Sequence, residues 1–567
     1  MAKIIGLEIK NFRGIKYFNE RFDGNFICFV ARGDSGKSTL LDAINLVLSS
    51  SWSANFFDTD FFNCDISQSI EITVTLSELP TELLTEGKFG LHLRSLSSSS
   101  CDISDDIKDG DIPVLSVRLS IDRSLEPSWT VITRDVDDGI AIRSVDRAKL
   151  KCLMISDYID RHFSWDRGNP LFSLLSQGEK IVGKTDHIVD AMRGVKGEID
   201  KLGFKNLHAA METIETKAAQ LGLDLSEINT TIDLRDLYIK DSRVCLHEDN
   251  IPLRMKGKGS KRLASIAIQS SIASDGGVML IDEIEQGLEP DRVKQLTRSL
   301  LTDYSGQLFI TTHSREVITE LPSKNLRFVR NENGLVSLSP IQYSKEELQK
   351  VVRACSEAFF AKKIIVCEGG TEVGICRAMD KYRVSKNRKS LAFNDCAYID
   401  GTGSSFVERA DTIHEAGFEV AVLCDSDLPE VNQSKVNWRS KNIEVFDCDV
   451  NVAPKKGNSI EQQVFQDLPW SGVIELVKYV KEKHYKTDSA FNDSLSSKYS
   501  SLSSDWESID DRNVREALAS CSVVPSKEWF KSIHQGEKLG EFLFKYLDDM
   551  SDTKLGKTLT ALTNWVG

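Results

Sequence analysis

The chain has 567 residues, 41% hydrophobic and 28% charged, which exceeds one hydrophobic core and predicts a globular protein of two to four domains. No run of about 18 apolar residues occurs, so no membrane span is expected, and the first residues turn polar too early for a signal peptide. Twelve cysteines without a C-x-x-C pair predict reduced thiols in the cytoplasm and argue against a zinc ribbon. The net charge of −14 is unusual for a nucleic-acid binder, but metal-binding carboxylates would contribute to it, and basic stretches remain at 254–262 and 381–389.

In chain order, residues 3–10 alternate as a strand and 25–30 form a buried strand. A Gly-rich segment leads into a helix over 38–49, and 69–79 and 113–121 alternate as antiparallel strands. Ser97 to Ser100 predict an exposed loop. Helical spacing from about 184 to 225 marks an insertion, read as a lid or a dimerisation arm. Strands return over 234–253, followed by a helix at 261–273, a buried strand at 278–282, a helix at 291–302 and a buried strand at 308–311. Strands alternating with helices predict a largely parallel sheet. A boundary follows near 340–358, then a second α/β unit over about 360–470. Ser494 to Ser504 predict an exposed linker, and the end from about 510 is helical.

Two constellations carry chemistry. The first is Ala31-Arg32-Gly33-Asp34-Ser35-Gly36-Lys37-Ser38-Thr39, between a predicted strand and a predicted helix. Small residues let backbone N–H groups wrap phosphates, Lys37 reaches the β and γ oxygens, and Ser38 holds Mg²⁺. Ala31 replaces the first glycine of that pattern, which restricts its backbone. Downstream, Asp282 at a strand end suits holding Mg²⁺, Glu283 suits polarising water, and His313 follows the next buried strand. The turn containing Gly259 and Ser260, with Lys258, Lys261 and Arg262, can offer N–H groups and cations to a phosphate across a dimer. Each piece alone is ordinary, since strand-end acids are usually solvated; the ordered set points to ATP.

The second constellation is Glu368-Gly369-Gly370-Thr371-Glu372 after an apolar strand, answered by Asp425-Ser426-Asp427 after another. Asp425 and Asp427 alternate, so they share a face. Four carboxylates at adjacent strand ends make a hard oxygen cage for Mg²⁺ or Mn²⁺, the chemistry that cleaves phosphodiesters.

With Ile9-Lys10-Asn11-Phe12-Arg13-Gly14 near the start, the first set resembles the ABC-type ATPases of the SMC and RecF group. The resemblance assigns the signature loop to 257–262, the catalytic glutamate to Glu283 and the switch histidine to His313, and implies ATP held between two copies. The second set resembles a Toprim domain, with Asp400-Gly401-Thr402-Gly403 similar to the turn of its nuclease branch. That likeness suggests Glu461 as a further metal carboxylate and a C-terminal lysine near the phosphate: Lys538, with Lys531 and Lys557 as rivals.

The order of the two sets resembles the OLD (overcoming lysogenization defect) nuclease family. The resemblance implies an ABC-type ATPase domain over 1–340, with its helical insertion. It then implies an α/β Toprim core over 358–470 and a helical C-terminal extension over 471–567. It further implies ATP and Mg²⁺ or Mn²⁺ at both sites, DNA as substrate, a homodimer or higher oligomer, and an ATP-regulated endonuclease of prokaryotic antiphage defence. A retron reverse transcriptase with its RNA–DNA hybrid, or a helicase, is compatible as a partner. Alternatives are an SMC- or RecF-like ATPase that acts on DNA without cutting, or a nuclease on RNA or nucleotides. A topoisomerase would add a catalytic tyrosine domain, and a primase a zinc ribbon.

Overall fold

A computed structural model describes residues 2–567 apart from 52–53, 98–102, 105–109, 134–135, 157–158, 164–169, 171–204, 226–227, 233–243, 274–275, 340–345 and 450–456. The chain divides into two compact units, Met1–Ser339 and Pro340–Gly567.

The first unit is built on a 14-stranded sheet whose two halves differ in direction. Strands β1 (Lys3–Phe12), β2 (Ile15–Arg21), β4 (Ile70–Ser77) and β7 (Ile112–Ile121) belong to its antiparallel half. The parallel half holds β3 (Phe26–Val30), β10 (Cys152–Ile155), β14 (Val278–Ile281), β15 (Gln307–Thr312) and β16 (Leu326–Glu332), in the order β10-β14-β15-β3-β16. All residues of β3, β14 and β15 are buried, as parallel strands covered on both faces require. The largely parallel sheet expected from the sequence is therefore mixed, because β1, β2, β4 and β7 pair antiparallel. Helix α1 (Lys37–Leu48) follows β3 and buries Leu40, Leu41, Ile44, Val47 and Leu48, each worth about 1.5–3 kcal/mol. The expected strand region at 234–253 lies partly outside the described residues; β12 (Val244–Glu248) and β13 (Ile251–Pro252) fall within it. Most of the insertion and the Ser97 to Ser100 loop also lie outside them, but Lys205–Gln220 is a helix.

The second unit carries four parallel strands, β18 (Lys363–Cys367), β19 (Cys396–Asp400), β20 (Glu419–Leu423) and β21 (Glu444–Phe446), in the order β19-β18-β20-β21. Helices enclose this sheet and continue to the end of the chain. The expected Ser-rich linker is not a linker throughout. Asp488–Lys498 is a helix whose Phe491 and Leu495, four residues apart, are buried against the C-terminal core. Helical spacing of two apolar residues overrides the serine content.

Helix Gly370–Ser385 packs on helix Ile533–Lys545 at close range. Gly374 meets Gly536 and Glu537, Gly536 lies on Thr371, Gly540 on Ile375 and Ala378, and Gly370 against the backbone of 531–533, so small residues let the two backbones approach. A Cβ at Gly374 would run into the backbone of Gly536 and Glu537. Gly374→Val is expected to destabilise the second unit by about 1–3 kcal/mol through overpacking, read as a lower denaturant midpoint with unchanged slope.

Candidate active sites

The nucleotide motif occupies the turn from β3 into α1. Gly36 has φ 94°, a left-handed conformation that favours glycine. Ala31 is not among the residues with positive φ, so alanine in place of the first glycine carries no backbone strain. Lys37 is buried, and its Nζ donates to Ala31 O at 2.9 Å, Arg32 O at 2.8 Å and Ser35 Oγ at 3.4 Å. Burial pulls this ammonium down to about 8, against the opposing pull of Asp282, Glu283, Glu285 and Asp34. Ser38 is exposed in the first turn of α1, and Thr39 beside it is half-buried.

Because β15 lies between β3 and β14, the loop after β14 faces the motif across one strand. Asp282 Oδ1 accepts from Ser38 Oγ at 2.9 Å and from Thr311 Oγ1 at 2.6 Å. Ser38 and Asp282 thus lie side by side. Glu283 has φ 46°, and its N–H donates to Thr311 Oγ1 at 2.7 Å. His313 is exposed at the end of β15; burial of part of its ring and the charge of Lys37 lower its pKa, against Glu285 and Asp282. Glu285 was missed by sequence reasoning. It accepts from Thr312 Oγ1 at 2.7 Å and from His313 N at 2.5 Å, so it fixes the backbone that carries the histidine. Its only sequence signal is a position three residues past Asp282.

Gly259 and Ser260 lie in the first turn of helix Lys258–Ile272. Arg262 corrects an expectation. It is 1% exposed and is spent internally: its guanidinium donates to Asp282 O, to Glu283 O at 3.1 Å and to Gln286 Oε1 at 3.3 Å. It ties the helix to the loop after β14 and is not an exposed cation for an incoming phosphate.

In the second unit, adjacent strands β18 and β20 end side by side, each followed by its carboxylates. Glu368 Oε2 accepts from Asp425 N at 2.8 Å, which joins the two motifs directly. Glu372 is buried in the first turn of helix Gly370–Ser385, where its Oε2 caps Gly369 N at 2.8 Å. Asp425 Oδ1 accepts from Ile460 N at 2.7 Å, at the start of helix Ile460–Asp467, and Glu461 is buried in that same first turn. The turn after β19 seats on the same edge: Gly403 N donates to Glu368 O at 2.9 Å and Gly401 N to Cys367 O at 2.7 Å.

These groups repel one another. Burial, then Glu368 and Glu461, push Glu372 up to about 8 against the backbone donors that favour its charge. Burial, then Glu372, Glu461, Glu368 and Asp427, push Asp425 well above the carboxylate range. Glu368 is raised chiefly by burial, with Asp427 adding to the rise and Lys435 and Lys531 opposing it. The sequence thus brings Glu368, Glu372, Asp425, Asp427 and Glu461 into one electrostatic cluster. Among the described residues no three His, Cys, Asp or Glu side chains form a closed metal cage, because several of these oxygens are turned onto backbone N–H groups. The donor set still fits a hard divalent cation: all oxygen, strongly anionic, and short of positive charge.

The three C-terminal lysines lie in different surroundings. Lys538 Nζ is paired with Glu541 at 2.7 Å, within its own helix. Lys557 is exposed on the last helix, Lys554–Val566. The charge of Lys531 reaches Glu368. Its carbonyl lies against Gly370, and the preceding residue, Phe530, accepts from Thr371 Oγ1 at 2.9 Å. The sequence signal for this was the glycine spacing of 370/374 and 536/540, which seats the segment 530–533 on the carboxylate loop.

Two known families match the two units in turn. Residues 32–319 match a family described as "AAA domain, putative AbiEii toxin, Type IV TA system". Residues 359–427 match "Overcoming lysogenization defect protein-like, TOPRIM domain". The chain belongs to the OLD family of ATPase–Toprim fusions. No curated protein matches it. Among solved structures, an SMC head bound to the C-winged helix domain of ScpA aligns at 15% identity and TM-score 0.38, over 61% of this chain and 99% of that one. The SMC head domain from Thermotoga maritima aligns at 14% identity and TM-score 0.31, over 60% and 99%. In this OLD-family chain the first unit holds the matched AAA domain, and the second is an α/β Toprim domain followed by helices. Among the described residues no helix is long and apolar enough to cross a membrane.

Two outcomes follow from the geometry. Lys37→Ala is expected to weaken ATP binding about tenfold or more, the loss of one charge-assisted hydrogen bond of roughly 1.5–3 kcal/mol, measured by titration calorimetry. In the Toprim unit, folding keeps the Glu372 proton above the ordinary value of 4.5, so its contribution to stability is present below that value and is lost as pH rises towards about 8. A cation that displaces this proton binds more tightly over the same rise. The increase in melting temperature on adding Mg²⁺ is expected to be larger at about pH 8 than at about pH 6, and Glu372→Gln should flatten the difference.

Proposed function

We propose that this OLD-family chain is a divalent-metal-dependent DNA endonuclease regulated by ATP and serving prokaryotic antiphage defence. The observation that carries the reading is the carboxylate cluster at the ends of β18 and β20, with Lys531 beside it. Glu368, Glu372 and Asp425 are raised by burial and then by the acids around them, and such a group is costly to hold in a fold unless a cation relieves it. Mg²⁺ or Mn²⁺ bound there would supply Lewis-acid activation of water and of the scissile phosphate.

The chain's own residues then have distinct roles. Glu368, Glu372, Asp425 and Asp427 provide the anionic cage, and Glu461 extends it beside Asp425. Lys531 offers a positive charge to the phosphate of a bound strand, and the 401–403 turn holds the Glu368 backbone in place. In the first unit, Gly33, Gly36, Lys37 and Thr39 cradle the phosphates, while Ser38 and Asp282 hold Mg²⁺. Glu283 and His313 flank the γ-phosphate. The turn of Gly259 and Ser260 presents N–H groups to a nucleotide on a second copy, so ATP assembles a homodimer or higher oligomer and gates cutting. A partner such as a helicase, or a reverse transcriptase with its RNA–DNA hybrid, would act through this gate.

Supercoiled plasmid tests the reading directly. Nicking in Mg²⁺ or Mn²⁺ is expected from the wild-type chain and is expected to fall by about 10³-fold or more in Asp425→Ala, while ATP binding stays intact. Lys531→Ala should reduce the cleavage rate far more than Lys538→Ala. Retained cutting in both Asp425→Ala and Glu368→Ala would sink the assignment.

A further inference from the structure

Lys435 belongs to neither motif, yet it lies directly behind one of them. It sits on helix Pro429–Ser440, and its side chain is 2% exposed. Its Nζ donates to Asp425 O at 2.5 Å and to Ser426 Oγ at 3.0 Å, and lies 3.5 Å from Asp447 Oδ2. Ser426 is fully buried, and its own hydroxyl donates to Cys448 O at 2.8 Å. A lysine ammonium has three hydrogens, and here three acceptors surround it. Burying such a charge is costly, so its partners are what keep it there.

The segment 425–427 lies just past β20, and its side chains divide between two sides. Asp425 and Asp427 interact with the carboxylate cluster, while Ser426 turns inward onto Lys435. The inward contacts fix the carbonyl of Asp425 and the hydroxyl of Ser426, and so fix the two side chains on the opposite face. Asp447 anchors this arrangement from below. It is buried at the end of β21 and also receives Lys554 at 2.9 Å and Arg439 at 3.4 Å.

We propose that Lys435 is a positioning residue for the metal site, a fixed internal cation that sets the 425–427 turn for divalent-metal binding. The proposal rests on the metal-site reading above. A purely structural lysine would change the melting temperature without changing metal affinity in the folded protein.

The test is Mn²⁺ binding to the full chain without nucleotide, followed by the electron paramagnetic resonance signal of free Mn²⁺. Lys435→Met removes the charge, and Asp447 keeps Lys554 and Arg439. Mn²⁺ affinity is expected to fall by about 10–100-fold, the range for residues that orient metal ligands. Lys435→Arg should recover part of the loss. Ser426→Ala removes one acceptor, keeps every charge and is the milder variant; a several-fold loss is expected. Wild-type affinity in Lys435→Met, or in Ser426→Ala should Lys435→Met not fold, overturns the proposal. Asp425→Asn separates the two readings. If it abolishes binding while Lys435→Met does not, only the positioning role fails. If Asp425→Asn also leaves binding unchanged, the metal-site reading fails and the proposal with it.

Discussion

Mutual repulsion among buried carboxylates is the constraint around which the second unit is arranged. Parallel pairing of β18 and β20 brings Glu368, Glu372, Asp425 and Asp427 to one edge, and helix Ile460–Asp467 adds Glu461. The chain answers the repulsion with backbone donors. The N–H groups of Gly369, Asp425 and Ile460 each take a carboxylate oxygen. Lysines approach from two sides, Lys531 near Glu368 and Lys435 behind Asp425. The last hundred residues serve the same end: their helices seat Lys531 against Gly370 and bring Lys554 to Asp447.

Both units follow one rule of α/β architecture. A loop at the carboxyl end of a parallel strand leads into a helix, and the neighbouring strands deliver acids to the same edge. In the first unit β3 leads into α1, and β14 delivers Asp282 to Ser38. In the second, β18 leads into helix Gly370–Ser385, and β20 delivers Asp425 to Glu368. The interposed β15 adds a feature of its own. Its Thr311 and Thr312 hydroxyls join the loop at 282–285, so the position of His313 depends on the same contacts that hold Asp282.

Much of this was legible in the sequence because each motif joins an apolar strand to small residues and acids at fixed spacing. The strand before Gly36, the strand before Asp282 and the pair formed by Glu368 and Asp425 needed only local pattern. What was not legible depended on distance or burial. Lys435 and Asp447 look like solvated charges in sequence, and their pairing appears only when helix Pro429–Ser440 packs behind the sheet. Arg262 looked like an exposed cation because charge does not report burial. That Lys531 is seated against Gly370 by a glycine-lined helix contact is likewise not readable from local pattern. The serine content near 494–504 concealed a helix whose only sign was the spacing of Phe491 and Leu495.

The most direct test of the account is a crystal of this chain soaked in Mn²⁺, with anomalous scattering used to locate the metal. The account predicts density among Glu368, Glu372, Asp425 and Asp427, at about 2.1 Å from carboxylate oxygens. Metal bound elsewhere in the second unit, with Glu368, Glu372 and Asp425 still turned onto backbone N–H groups, would contradict it.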